Sequence, residues 1–170
     1  MSHDRTVIVT GAGSARGIGR EACLRLAAAG WSVAALDLEE GAAQETAELA
    51  AGANGGQAIG LGCDVTKSAQ VDAAVSAVEG ELPPVAALVN NAGITAPTRF
   101  LDIEEEEWNR IFDVNVRGTY LVTRRVLPGL VDRGHGRIVN LSSVPPEQGG
   151  LWRRSPSLPL SCPVTGYCIF

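Results

Sequence analysis

The sequence contains a glycine-rich segment, "TGAGSARGIGR" (residues 10–20), directly after a short run of apolar and β-branched residues. Glycines at positions 13, 17 and 19 allow a tight turn and let backbone N–H groups approach a phosphate closely. The preceding run predicts a buried strand, and the Ala- and Leu-rich residues that follow predict a helix whose N-terminus favours anions. The segment therefore predicts a phosphate-binding turn, although a merely flexible turn is the alternative.

Carboxylates stand where two further predicted strands end. Asp37 lies eighteen residues after Gly19, where a carboxylate can accept both hydroxyls of an adenosine ribose and repel a 2′-phosphate, which favours NAD over NADP. Arg16 favours NADP weakly, because it could meet a phosphate. Asp64 and Val65 end the third strand, in place to contact an adenine edge. A solvated strand end remains the alternative for Asp37, as a plain turn does for Asp64 and Val65.

Strand and helix patterns alternate along the chain. Five short apolar runs predict strands: "TVIVTG", "WSVAALDL", "QAIGLGCDV", "PPVAALVNNAG" and "GRIVNLSS". Helical patterns separate them, the last being a long helix over residues 103–133 with an acidic first turn. Five β-α repeats predict an α/β, Rossmann-like, doubly wound parallel sheet in the order 3-2-1-4-5. Its ligand crevice should lie at the carboxyl ends of the strands.

The pattern of strands and helices stops near Val144. Five prolines follow it, with neither helical nor strand periodicity (Pro145, Pro146, Pro156, Pro159, Pro163). We therefore predict a dinucleotide-binding domain over residues 1–144 and an irregular tail over residues 145–170.

Composition bounds the partners and the compartment. The net charge is -5 and the arginines are scattered, which argues against nucleic-acid binding. No apolar run reaches membrane-spanning length, and the N-terminus shows no export signal, so we expect a cytoplasmic protein. The cysteines at 23, 63, 162 and 168 have no Cys-x-x-Cys spacing, and we expect reduced thiols rather than a metal site.

Taken together, the motifs resemble those of the short-chain dehydrogenase/reductase family over residues 5–144. The resemblance rests on "TGAGSARGIG", Asp37, "CDV", "LVNNAG", Asn115 and "GRIVNLSS", in this order. The glycine motif departs from the family's T-G-x-x-x-G-x-G by two extra residues, which leaves the roles of Gly11, Ala12 and Ser14 open. The glycine turn itself is retained.

The resemblance implies NAD(P)-dependent oxidation of an alcohol or reduction of a ketone. It places Gly11 and Ile18 with the cofactor-binding turn. Asn91, Ala92 and Gly93, with Asn90, match the segment that supports the sheet and borders the cofactor ribose. Asn115 matches an asparagine that holds a water for a proton relay, and Ser143 matches the serine that hydrogen-bonds the substrate oxygen, with Ser142 the weaker candidate. A buried asparagine bonding the backbone and an ordinary turn serine are the alternatives.

The resemblance also implies a tyrosine and, four residues later on one helix face, a lysine that lowers the tyrosine's pKa. No such pair occurs in these 170 residues, because Lys67 is the one lysine and Tyr120 is followed four residues later by Arg124. Tyr167 has no residue four positions after it. We therefore predict that the chain lacks a competent acid/base. The alternatives are a non-catalytic NAD-binding or interaction module, and a working oxidoreductase whose missing part is supplied by a partner chain or by another base.

A fold that lacks the family's later repeats should be incomplete on its C-terminal side. The strand Ile138–Leu141 would then become a sheet edge, and an unpaired apolar edge strand favours aggregation. A homo-oligomer through the long helix 103–133 would be weakened. A truncated or frame-disrupted gene, an alternative exon or a misplaced gene end would each produce such a tail.

Overall fold

The structure, a computed structural model, describes residues 4–54, 56–96, 98, 100–142 and 168–169. Ser143 and most of the predicted tail lie outside these residues. The described residues form one six-stranded sheet in the order β3-β2-β1-β4-β5-β6. The strands are β1 Thr6–Thr10, β2 Ser32–Asp37, β3 Ala58–Gly62, β4 Val85–Asn90, β5 Arg137–Asn140 and β6 Cys168–Ile169. The first five are parallel, which confirms the predicted fold class and the order 3-2-1-4-5.

Helices connect the parallel strands. They are α1 Ile18–Ala28, α2 Glu40–Asn54, α3 Ser68–Glu81, α4 Glu105–Phe112 and α5 Thr119–Asp132, with a short 3₁₀ turn at Phe100–Asp102. None of the helices in the described part of the chain is long and apolar enough to cross a membrane.

The core lies in two layers, one on each face of the sheet. Successive residues of β1 serve both layers, since Val7 and Val9 pack with Cys23 and Ala27 of α1, whereas Ile8 packs on the other face. The second layer also holds the apolar stripes of α3 and α5 (Val71, Val75, Val78, Val122, Val126, Leu130). Because both faces are covered, the central strands are apolar throughout instead of alternating with polar residues.

The predicted long helix 103–133 is instead three consecutive helical segments. Between α4 and α5 the chain forms a π-helix at Asp113–Gly118, which we call the π segment. A π-helix uses i→i+5 hydrogen bonds and often lies at functional sites. Its apolar residues Val114 and Val116 pack on different clusters of the core, and the segment is too short for its own period to show in the sequence pattern.

The strand β5 is not the bare edge that the sequence predicted. The two residues of β6, within the segment predicted to be irregular, pair antiparallel with Arg137 and Ile138. Pairing satisfies backbone groups that an edge strand leaves open, so part of this edge is covered.

Candidate functional site

The glycine-rich turn runs from the end of β1 to the start of α1, and the N–H and carbonyl groups of Ala12 and Gly13 within it are all hydrogen-bonded. The Ala12 N–H donates to the Leu36 carbonyl at 3.1 Å, and the Ala12 carbonyl accepts from the Thr46 hydroxyl at 2.8 Å. The Gly13 N–H donates to Asp37 Oδ2 at 2.7 Å. The Gly13 carbonyl accepts from Arg20 Nη2 at 2.9 Å. The turn is therefore held by β2, α1 and α2 together.

Two of the glycines are required by close backbone approach. Gly11 has φ of +66°, a left-handed conformation that favours glycine. Gly19 lies so near Gly11 that a Cβ on it would be 2.4 Å from the Gly11 carbonyl oxygen and 2.6 Å from Asn91 Nδ2. The amide of Asn91 donates to the carbonyls of Thr10 at 2.9 Å and Gly11 at 2.8 Å. The turn, α1 and the end of β4 thus meet at one point.

The N-terminus of α1 opens from this turn. Its N-cap is Gly17, and among the described residues no side chain caps it. Arg16 and Ile18 beside it are exposed, Ile18 to 68%. A helix N-terminus whose N–H groups are not taken by a side chain attracts phosphate oxygens. The residues present therefore fit a dinucleotide pyrophosphate.

Asp37 lies at the carboxyl end of β2, half-buried beside the turn. Its Oδ2 accepts from the Gly13 N–H, and its Oδ1 accepts from the Glu39 N–H at 3.1 Å. An ionised carboxylate offers about four lone-pair sites, so it can accept further hydrogen bonds. This position and charge fit the two hydroxyls of an adenosine ribose.

The turn after β3 is ordered by its own side chains and by the π segment. Asp64 Oδ1 accepts from the Thr66 N–H at 2.9 Å and from the Thr66 hydroxyl at 2.7 Å. Burial raises the pKa of Asp64, but these bonds and the charge of Lys67 outweigh it, so the pKa of Asp64 falls below its usual value. Val65 is buried against Gly118, where a Cβ would be 2.7 Å from a Val65 methyl group. Asp64 and Val65 form a built turn next to the crevice.

The segment after β4 contacts both β1 and the π segment. The N–H groups of Asn91 and Ala92 donate to the Thr10 hydroxyl at 3.1 and 3.0 Å. The buried Asn90 points to the other side, where its Nδ2 donates to Asn140 at 2.8 Å and Thr123 at 3.0 Å. Asn90 therefore ties β4 to β5 and α5, and Asn91 ties β4 to the glycine turn.

Asn115 lies in the π segment and pairs with the backbone beyond β4. Its Oδ1 accepts from the Ile94 N–H and its Nδ2 donates to the Ile94 carbonyl, both at 2.9 Å. Gly93 is adjacent, since a Cβ there would be 3.4 Å from Asn115 Oδ1. The side chain of Asn115 thus bonds the backbone, which was the structural alternative that the sequence analysis left open for this residue.

The residues that the family's chemistry would use next are only partly described. The Leu141 N–H donates to the Asn90 carbonyl at 2.9 Å, which extends the pairing of β5 with β4 and leads to the exposed Ser142. Ser143 lies outside the described residues. Tyr120 is 55% exposed on α5, and its hydroxyl accepts from Arg124 Nη1 at 3.3 Å. Within the described ranges, no three His, Cys, Asp or Glu side chains cluster as a metal site would require.

Sequence reasoning did not identify Thr10, Arg20 and Thr46, all of which hold the glycine turn. One signal was present for Arg20. The buried residues of α1 include Gly19, Arg20, Cys23 and Ala27, so this arginine falls on the apolar stripe of its helix. A charged residue on such a stripe indicates a specific buried partner.

The strand order, the crevice at the carboxyl ends of the strands and the open N-terminus of α1 define a Rossmann-type α/β fold. A family model described as short chain dehydrogenase matches residues 5–153. The chain belongs to the short-chain dehydrogenase family.

Known members resemble this chain over most of its length. It is 37% identical over 141 residues to 2-(S)-hydroxypropyl-CoM dehydrogenase 3 of Xanthobacter autotrophicus, covering 83% of this chain and 54% of that protein. It is 44% identical over 116 residues to the same organism's "Inactive 2-(S)-hydroxypropyl-CoM dehydrogenase 2", covering 68% and 49%. The crystal structure of a short-chain type dehydrogenase/reductase from Mycobacterium marinum matches with a TM-score of 0.83 and 34% identity, covering 94% of this chain and 64% of that one. The chain spans about half the length of the curated relatives it matches.

Proposed function

We propose that this chain is the dinucleotide-binding part of a short-chain dehydrogenase for a small alcohol or ketone, and that it binds NAD in preference to NADP. The family binds NAD(P), and the finer choice rests on Asp37. Its carboxylate lies at the end of β2 against the glycine turn, and it is held there by the N–H groups of Gly13 and Glu39. A fixed negative charge at this point accepts ribose hydroxyls and repels a 2′-phosphate.

Each part of the site has a distinct task in this proposal. The N-terminus of α1, at Gly17 and Ile18, would hold the pyrophosphate, and Asp37 would hold the adenosine ribose. The turn at Asp64 and Val65 would border the adenine, and the segment from Asn91 to Gly93 would border the other ribose. The nicotinamide of the bound cofactor would supply hydride transfer. The protein must supply the proton that moves to or from the substrate oxygen.

We further propose that a protein of these 170 residues does not turn over alcohols or ketones. The family resemblance assigns proton transfer to a tyrosine with a lysine four residues later, and the sequence holds no such pair. Tyr120 has Arg124 in the corresponding position, is exposed on α5 and precedes the strand that leads to Ser143. An unassisted tyrosine has a pKa of about 10 and gives little general-base catalysis near neutral pH. One relative of this chain carries the word "Inactive" in its name.

Calorimetric titration of the purified chain with NAD⁺ and NADP⁺ tests the binding proposal. We expect NAD⁺ to bind more tightly. Substituting Asp37→Asn keeps an oxygen for the Gly13 N–H but removes the charge, and it should weaken NAD⁺ binding about tenfold and reduce the preference over NADP⁺. Asp132→Ala, an exposed carboxylate at the end of α5, is the control and should change neither affinity. Equal binding of both dinucleotides by the unsubstituted chain would contradict the assignment of Asp37.

Turnover is tested separately, by following NADH absorbance with a panel of secondary alcohols and ketones. We expect no rate above the blank at any pH from 6 to 9. NAD⁺ binding without turnover would favour the non-catalytic NAD-binding module over a working enzyme. Turnover by the unsubstituted chain, in protein free of other dehydrogenases, would refute the proposed inactivity, and turnover that persists after Tyr120→Phe would show that the chain holds another base.

A further inference from the structure

Arg20 is a buried arginine at the centre of the glycine turn. Its side chain is 8% exposed, although it belongs to the first turn of α1. Its Nη2 donates to the Gly13 carbonyl at 2.9 Å and to Glu45 Oε2 on α2 at 2.8 Å. Within the described part of the chain its Nε atom is buried without a hydrogen-bond partner. The guanidinium therefore lies between the turn and α2 with its donors only partly satisfied.

An ion pair does not account for this burial. Removing a guanidinium from water is unfavourable, and a buried donor without a partner adds to that penalty. Glu45 is 61% exposed, so its attraction for Arg20 is screened by solvent. The screened ion pair therefore offsets little of the cost of burial, and the other hydrogen bond of the guanidinium is to the Gly13 carbonyl.

Gly13 needs an external restraint, because a glycine has no Cβ to limit its two backbone dihedrals. The peptide group before it is fixed at both ends, by Thr46 at the Ala12 carbonyl and by Asp37 at the Gly13 N–H. The peptide group after it is fixed by Arg20 at the Gly13 carbonyl. These contacts together determine the conformation of Gly13, and they link Arg20 to the carboxylate of Asp37 through a single residue.

We propose that Arg20 is a positioning residue for dinucleotide selectivity, which holds the Gly13 backbone so that Asp37 keeps the orientation in which it accepts a ribose and repels a 2′-phosphate. The inference rests on the proposed NAD binding, but its first step concerns Gly13 alone. Arg20 acts through Gly13 and Asp37 and need not touch the dinucleotide.

Amide hydrogen exchange of the full 170-residue chain, followed by NMR without any dinucleotide, tests the first step. Arg20→Met keeps an unbranched apolar stem but removes the donors, and it should raise the exchange rate of the Gly13 amide about tenfold, since one charge-assisted hydrogen bond is lost. Arg25→Met is the matched control, because Arg25 lies on the same helix and pairs with Glu21 at an exposed position. It should leave the Gly13 amide unchanged. Unchanged Gly13 exchange in Arg20→Met would overturn the proposal even if the chain binds no dinucleotide.

The ratio of the dissociation constants for NAD⁺ and NADP⁺ tests the second step. Arg20→Met should reduce the preference for NAD⁺ to near that of Asp37→Asn, and the double variant should lose no more than Asp37→Asn alone. A merely structural arginine would weaken both dinucleotides by one factor and preserve the preference, which would overturn the proposal. Failure of the unsubstituted chain to bind either dinucleotide would instead remove the proposed function, and the exchange result would still decide the role of Arg20.

Arg20→Lys is a second variant that tests the proposal if Arg20→Met does not fold. Both hydrogen bonds of Arg20 come from Nη2. Lysine keeps the charge, but its ammonium ends a shorter and more flexible side chain, so it should hold the Gly13 carbonyl less firmly. We expect intermediate Gly13 exchange and an intermediate preference. If Arg20→Met does not fold, exchange and preference in Arg20→Lys that both match the unsubstituted chain would overturn the proposal.

Discussion

Adding one methyl group at Gly19 should damage both the fold and the proposed cofactor site. The Cβ of Gly19→Ala would lie 2.4 Å from the Gly11 carbonyl oxygen, whereas ordinary contact begins at 3.4 Å, so α1 and the turn must separate by about 1 Å. Gly11 cannot easily give way, because its φ is +66° and the Asn91 amide holds its carbonyl. The new methyl group would therefore meet the Gly11 backbone on one side and, on the other, the Asn91 side-chain amide, which is held by two hydrogen bonds.

The magnitude follows from three contributions. Overpacking costs about 1–3 kcal/mol. Strain on the Asn91 hydrogen bond costs about 1 kcal/mol more. Alanine in a helix returns at most about 1 kcal/mol relative to glycine. The net destabilisation should be about 2 kcal/mol, a large share of the roughly 5–15 kcal/mol typical of a domain.

Urea denaturation followed by circular dichroism measures this effect. With a slope of about 1–3 kcal/mol per M, the midpoint of Gly19→Ala should fall by about 1 M, and NAD⁺ affinity should fall with it. Gly52→Ala is the matched control, since it makes the same change inside α2 where a Cβ meets nothing within 4 Å. It should stabilise the chain by about 0.5–1 kcal/mol. A Gly19→Ala variant with the midpoint and NAD⁺ affinity of the unsubstituted chain would refute the close packing of α1 on the turn.

Two further predictions concern titratable groups. Burial raises the pKa of the Cys23 thiol to about 12 and that of the Cys63 thiol to about 11. Both thiols should therefore react slowly with iodoacetamide at pH 8 until urea unfolds the chain, as measured by peptide mass spectrometry. Rapid labelling of either thiol in the native protein would contradict its burial. The hydrogen bond from Arg20, and then its charge, lower the pKa of Glu45. The pair therefore stabilises the fold at pH values above the unfolded pKa of about 4.3. This stabilisation is lost as the pH falls through the lower pKa of the folded state. Glu45→Gln should therefore flatten the loss of stability between about pH 5 and pH 3 in urea titrations, whereas an unchanged slope would show that the pair contributes nothing.

Much of the architecture followed from local patterns. The apolar runs predicted all five parallel strands, and the repeat of strand and helix predicted their sheet. The prediction worked because both faces of a central parallel strand are buried, as Val7, Ile8 and Val9 show, so the whole run must be apolar. The position of the glycine turn was equally readable, since only a strand-to-helix junction puts such a turn at the end of β1.

The helical and edge details were not readable in the same way. The π segment is six residues long, too short to show a period of its own, so the pattern over residues 103–133 gave one helix where the structure has α4, the π segment and α5. The strand β6 is two residues long, too short for any periodicity, and it exists through its pairing with Arg137 and Ile138. The pairing of β6 is a contact between segments about thirty residues apart in the sequence, which local patterns do not record.

Some features of the candidate site were likewise predicted from the sequence, and others were not. The sequence by itself determined the glycine turn, the carboxylate at the end of β2, the asparagines at the end of β4 and the lack of a Tyr-x-x-x-Lys pair, because residue type and spacing are local properties. Only the tertiary structure decided how these parts are held. The Asn91 amide reaches Thr10 across 81 positions, and Arg20 joins Gly13 to Glu45 across α1 and α2. These hydrogen-bond partners depend on which helices pack on which strands, and that packing is determined by the burial of the whole core.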